Sequence, residues 1–197
     1  YLETSQGSHD LEAYRGHAFQ QLGGGLSGFV GGETRNTDNY RDHNNASYSN
    51  AFGRLRYEHE RGWALYEHQS IDDELRLPGA LTISQRQADR KASTSNEWND
   101  NKTQVQRFAA QQALNDNWVG NVDYSLRDTD GVGLISGSPL RDGTRVESLS
   151  PRLTAHWDNA LGRSEWLLGH DHISSDYQAT YANFASLNSD ALQTQRD

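Results

Sequence analysis

The chain has 197 residues, 27 of them acidic and 18 basic, for a formal net charge of −9. The absence of cysteine excludes a disulfide framework, thiolate chemistry and cysteine-ligated zinc. Apolar residues make up only 34% and never run for about 18 positions, so no transmembrane helix is predicted, and the acidic balance argues against a nucleic-acid partner, whose footprint is a basic stripe.

Five Trp, nine Tyr, five Phe and 18 Gly point to strands and turns rather than disorder. Strands are predicted over 1–5, 10–22, 26–35, 47–60, 63–77, 103–115, 118–129, 145–158 and 164–177. The second alternates weakly, because Arg15 and His17 share the phase of Leu11, Ala13 and Phe19. Period two is clear in the fourth, where Ala51, Gly53, Leu55 and Tyr57 oppose Asn50, Phe52, Arg54, Arg56 and Glu58. It is clearest in the seventh: Trp118, Gly120, Val122, Tyr124 and Leu126 alternate with Asn121, Asp123, Ser125 and Arg127. In the eighth, Leu149, Pro151, Leu153, Ala155 and Trp157 alternate with Ser150, Arg152, Thr154 and His156, and Pro151 signals an edge or a bulge.

Short connections at Gly23–Gly25, Arg61-Gly62, Asn115–Asn117 and Asn159–Gly162 alternate strictly with long polar ones at about 36–46, 78–102 and 131–144. That layout predicts an antiparallel up-and-down meander with one trimmed and one elaborated end. Residues 178–197 read as the start of a further long loop. Nine strands is an odd number, whereas bacterial single-chain outer-membrane barrels use even ones. The chain begins at Tyr1 and ends in Gln195-Arg196-Asp197, so both ends are expected to be cuts of a longer protein.

The fold class expected is therefore all-β: part of an up-and-down transmembrane β-barrel, about nine strands of a larger one. Its apolar band faces lipid and its polar face a water-filled or plugged lumen. Trp63, Trp118, Trp157 and Trp166 lie within a few residues of the short turns and are expected to form a membrane-interface girdle, where an apolar ring body and a wet N–H both gain.

Leu2-Glu3-Thr4-Ser5-Gln6-Gly7-Ser8-His9-Asp10, followed by a strand and Leu22-Gly23-Gly24-Gly25-Leu26, resembles the start of the barrel in TonB-dependent outer-membrane receptors. Thr37-Asp38-Asn39-Tyr40-Arg41-Asp42-His43 is similar to the family's Asp-Gly-Tyr-Arg-Asp pattern, with Asn39 where Gly is common. Leu77-Pro78-Gly79-Ala80-Leu81-Thr82, then Ala88-Asp89-Arg90, is similar to an outer loop of siderophore-type members. These motifs cover about the first half of the chain. The resemblance implies a bacterial outer-membrane protein that takes up an iron–siderophore complex or a similar scarce ligand, with a plug domain and a TonB contact in parts of the parent absent from 1–197. The partners implied are outer-membrane lipid, the small ligand and, through those other parts, TonB. Ligand contact is expected from the outer loops, at Tyr40, Arg41, His43, Arg76, Arg86 and Arg90, since guanidinium forks suit anionic groups.

No catalytic signature is present, and no enzyme activity, cofactor or metal site is expected. Asp128-Thr129-Asp130-Gly131 opens like a calcium loop, but the twelfth position is Pro139 where glutamate is needed. His170-Asp171-His172 has no evident third ligand, and Asp72-Asp73-Glu74 reads as a hydrated rim. Two other classes stay open on the residues alone. One is a small outer-membrane barrel acting as an adhesin or structural protein. The other is a secreted carbohydrate-binding β-sandwich.

Overall fold

In the computed structural model the described residues are 1–160, 162–181 and 194–196, the last three by backbone only. They form one antiparallel sheet in chain order. β1 (Leu2–Gly7), β2 (Leu11–Gly23), β3 (Leu26–Thr37) and β4 (Ala46–His59) are followed by β5 (Gly62–Leu77), β6 (Glu97–Ala113), β7 (Trp118–Ile135) and β8 (Ser138–Asn159). Beyond them, β9 (Gly162–Gly169) pairs with residues 152–159 of β8, and β10 (His172–Tyr181) with residues 140–149. β11 (Thr194–Arg196) pairs with β10. One short helix, α1 (Ile83–Ala88), stands in the β5–β6 connection. A single layer in strict sequence order is the meander the turn spacing predicts, and no second sheet faces it among the described residues, as a sandwich would require.

Three predicted boundaries differ. Residues 131–144 are not a loop: β7 and β8 run on to a turn at Ser136 and Gly137, which take positive φ of 52° and 73°. Both central residues of a tight hairpin need that conformation, and a Ser-Gly pair inside a polar, glycine-rich run hides it. β6 begins at Glu97 rather than 103, because its first residues pair with the polar end of β5 and not with an apolar face. The strand expected over 164–177 is two strands. The break, His170-Asp171, lies opposite Pro151, whose carbonyl accepts the His170 N–H at 3.1 Å. In an antiparallel strand one residue's N–H and C=O point the same way, so the N–H that Pro151 lacks is missing on that side. Arg152 fills the gap, donating to the His170 carbonyl (2.7 Å) and to Asp171 (2.5 Å). Of the loop expected over 178–197, residues 178–181 belong to β10 and 182–193 lie outside the described residues.

Directly paired residues share a face of a sheet. The register runs unbroken from Ala18–Val30 through Gly53–Val30, Leu55–Tyr66, Tyr66–Phe108, Phe108–Tyr124 and Tyr124–Leu149. These residues define an apolar face. On it, segments 62–70, 104–112, 118–126 and 149–157 contain no Asp, Glu, Lys or Arg at the positions that face that way. Each segment is nine residues long, and a tilted strand crosses a bilayer core in about 9–11. Toward the end with the long connections the same face turns abruptly ionic, with Lys102–Asp72 (3.5 Å), Arg76–Asp100 (2.5 Å) and Arg145–Glu147 (2.9 Å).

The register fixes the phase of β2, whose alternation is weak in sequence. Tyr14, Gly16, Ala18 and Gln20 lie on the apolar face, and Ala13, Arg15, His17 and Phe19 on the polar one. The alternation looked weak because an aromatic stripe, Tyr1, His17, Phe29 and Phe52, crosses the polar face with ring centroids 5.0–5.7 Å apart.

The sheet encloses almost no core. Leu65, Ala109 and Ala155 are the buried hydrophobics among the described residues, while Leu55 is 53% and Val30 61% exposed. At roughly 25 cal/mol per Å² of apolar surface, a face this bare has to be covered by something other than this layer.

Candidate functional site

Topology gathers the β1–β2 turn, the two long connections and the β7–β8 hairpin turn at one end of the sheet. The β3–β4 connection, 38–45, turns at Asn39, which takes a positive φ of 55° and whose side chain donates to the Asn44 carbonyl (2.7 Å), closing the loop on itself. Arg41, half-buried, reaches across to the β5–β6 connection. Its guanidinium donates to the carbonyls of Gly79 (2.6 Å), Ala92 (2.7 Å) and Pro78 (3.2 Å). Two further bonds follow the same direction: the Asp42 N–H donates to the Lys91 carbonyl (2.8 Å), and His43 Nε2 to the Glu97 carbonyl (2.8 Å). The Glu97 carboxylate in turn accepts the Ser136 N–H (2.7 Å) at the tip of the β7–β8 hairpin. Three outer connections are thus tied in series.

The predicted ligand residues separate into three groups. Tyr40, Arg41 and His43 meet at a recess of about 320 Å³ that also takes in His9, Asp38 and Lys91. Tyr40 is 47% exposed there, with His9 edge-on at 5.7 Å and the Lys91 ammonium 6.0 Å from its ring. Arg86 lies on α1 and Arg90 just beyond it; both are exposed and neither forms an ion pair among the described residues. Arg76 stands apart. It is on the ionic extension of the apolar face, bonded to Asp100 and Glu74 and 5.5 Å from the Trp98 ring. His9 and Lys91 were not singled out from sequence; the positive φ of 62° that turns His9 toward Tyr40 has no signal in a His-Asp pair.

Of the four tryptophans, Trp118, Trp157 and Trp166 form one cluster on the apolar face, with centroids 6.1 and 6.3 Å apart. Trp63 does not join them. It pairs with Gln111 on the polar face, donating Nε1 to the Gln111 amide oxygen (3.0 Å), with the Arg56 guanidinium 4.5 Å from its ring.

The polar face carries a row of alternating charge straight across the strands. Arg54 pairs with Glu67, Glu67 with Arg107 (3.2 Å), and Arg107 with Asp123 (2.5 Å), each pair in direct register. The Glu67 side chain is only 11% exposed, covered by its two arginines. Sequence reading missed this row, although Arg54 and Glu67 are equidistant from the β4–β5 turn and share the polar phase. On the extension beyond the band, the Glu147 carboxylate, with Asp128 behind it, pushes the Arg145 guanidinium up. Burial, then Asp142 and Tyr181, raises the Tyr177 phenol. His170 and His172 flank the strand break, where Asp171 serves Arg152 and Ser150, and no group of three ligating side chains is close enough to hold a metal among the described residues.

No protein-family model matches the sequence, and no curated protein matches it. Solved structures do match in fold. The P. aeruginosa receptor FpvA, bound to heterologous pyoverdines, aligns over 91% of this chain with a TM-score of 0.76 at 13% identity. BauA, the ferric preacinetobactin receptor from Acinetobacter baumannii, aligns over 98% with a TM-score of 0.76 at 11% identity. The ferric citrate transporter FecA aligns over 98% with a TM-score of 0.73 at 14% identity.

The chain has the barrel fold of TonB-dependent siderophore receptors.

It spans 28%, 33% and 31% of those three chains, which is a partial barrel. In transmembrane barrels of this kind an apolar outer face backs a polar inner one, and the sheet here carries an apolar and a polar face.

Proposed function

We propose that this chain is part of a TonB-dependent outer-membrane receptor that takes up an iron–siderophore complex or a similar scarce ligand. The observation that carries the reading is the charge-free band on one face of a single-layer meander, on a fold shared with three receptors and transporters of ferric complexes. Lipid covers the band, with the Trp118–Trp157–Trp166 cluster at one interface and the ion pairs of the extension in water at the other. The remaining strands and the plug lie in other parts of the parent protein, because two open sheet edges are not tolerated in lipid. Binding is by outer connections and lumen, and release inward is driven by TonB through those other parts. No covalent chemistry is involved.

Among the predicted contacts, Tyr40, Arg86 and Arg90 remain the ligand-facing proposal, joined by Lys91. These cations are exposed, and Lys91 stands beside the Tyr40 ring; such groups suit the carboxylates and phenolates of an anionic ferric chelate. Arg76 points away from the interior and is proposed to act only on the outer surface.

The test is transport. Full-length receptor is expressed in cells lacking their own siderophore receptors, and uptake of radiolabelled iron is followed with ferric citrate, a ferric pyoverdine and a ferric catecholate. The proposal expects uptake of at least one complex that stops when the proton gradient is dissipated. Iron entry that is equal in cells with and without the receptor, for every complex, would sink it.

A further inference from the structure

We propose that Arg41 is a positioning residue, a latch that sets the β5–β6 connection and the cations on it, and not itself a ligand contact. α1 buries none of its residues. A six-residue helix with no packed face cannot fix its own place, and its capping box, Thr82 with Gln85, only satisfies its own first turn. What places it is its two feet. Pro78 and Gly79 stand at one foot, Ala92 at the other, and the Arg41 fork binds all three carbonyls at once. The Thr94 N–H donates to the Pro78 carbonyl (2.9 Å), so the feet also touch each other. Gly79 takes a φ of +71°, and a Cβ there would meet Thr94 Oγ1 at 2.6 Å, so the crossing is a tight one.

The chemistry of the acceptors decides the role. All three are neutral main-chain carbonyls, and the remaining guanidinium nitrogen, Nε, is buried without a partner. With three of its five N–H groups on carbonyls of its own chain and Nε buried, the guanidinium cannot fork onto an external anion without giving up part of this arrangement. Closing the feet of 78–96 instead sets where Arg86, Arg90 and Lys91 project, and the Asp42–Lys91 bond carries that placement to the Tyr40 recess. The consequence for uptake rests on the receptor reading above; the latch itself does not.

The connection carries three tryptic sites, Arg86, Arg90 and Lys91, which makes the latch directly readable. Purified full-length receptor in detergent is treated with trypsin, and cleavage at these sites is timed by mass spectrometry for wild type, Arg41→Lys, Arg41→Ala and Arg90→Gln. The three carbonyls are reached from two nitrogens at the far end of the guanidinium, and lysine offers one nitrogen on a side chain one atom shorter, so Arg41→Lys should speed cleavage at Arg90 and Lys91 about tenfold although the charge is kept. Strand sites such as Arg107 should stay protected, and Arg90→Gln should leave cleavage at Lys91 unchanged. Wild-type cleavage rates in Arg41→Lys and Arg41→Ala would overturn the latch. If Arg41→Ala opens strand sites as well, it has misfolded, and Arg41→Lys alone decides. No ligand enters the assay, so loss of the transport reading and loss of the latch are separate results.

Discussion

Replacing Glu67 by alanine removes the acceptor that Arg54 and Arg107 share on the polar face. Two charge-assisted contacts disappear. In full solvent each would contribute about 0.2–1 kcal/mol, and fully buried about 3–5 kcal/mol would be lost on deleting one partner. Glu67 is 11% exposed but its arginines are 45% and 42% exposed, which puts each contact near the lower limit. The two arginines are left two strand spacings apart, roughly 10 Å, where their repulsion in water is about 0.4 kcal/mol before screening. The sum is a loss of about 2 kcal/mol for Glu67→Ala. Glu67→Gln, which keeps the volume and one acceptor, should lose about 1 kcal/mol. Full-length receptor refolded into lipid vesicles and unfolded in urea, followed by tryptophan emission, gives both values. A double-mutant cycle with Arg107→Ala isolates the pair. If Glu67→Ala changes stability by less than about 0.3 kcal/mol, the row is ornamental and the reasoning fails.

Charge on the apolar face should be far more costly than its loss on the other. Leu55→Arg is expected to lose about 2–4 kcal/mol in the same unfolding assay, and Arg127→Leu less than about 0.5 kcal/mol. Gly25 has a φ of +83°, and a Cβ there would run into the Glu58 carbonyl oxygen, so Gly25→Ala should lose more than about 2 kcal/mol and leave mostly unfolded receptor on a heat-modifiability gel. Arg152→Ala unties the β9–β10 break, and amide exchange at His170–His172 should rise about tenfold while the Val122–Tyr124 amides of β7 stay protected.

The fold was legible because a meander writes itself in one dimension. Period two in β4, β7 and β8 and the turn signals between successive strands give strand order and pairing without any long-range inference, although the connection expected to be long at 131–144 is a tight turn. Where aromatics share the polar face with charges, as in β2, hydropathy alone leaves the phase undecided; the pairing of Ala18 with Val30 settles it. Trp63 misled for the same reason: proximity to a turn fixes depth, not face. The candidate site was legible as a region but not as roles. Nothing local distinguishes Arg41 from Arg90, since one guanidinium meets carbonyls 37–51 positions away and the other meets solvent. The ion row stayed hidden because its members are ordinary polar-phase residues until register lines them up.

The central claim is that this sheet has one face in lipid and one in water. The chain contains no cysteine, so single cysteines can be placed along β7 from Gly120 to Arg127 in the full-length receptor, in outer-membrane vesicles. Each is labelled with a fluorophore and challenged with a lipid-attached nitroxide and with a water-soluble quencher. The account predicts that positions 120, 122, 124 and 126 are quenched from lipid and 121, 123, 125 and 127 from water. Quenching from water at every position, or no dependence on lipid nitroxide at any, would contradict it.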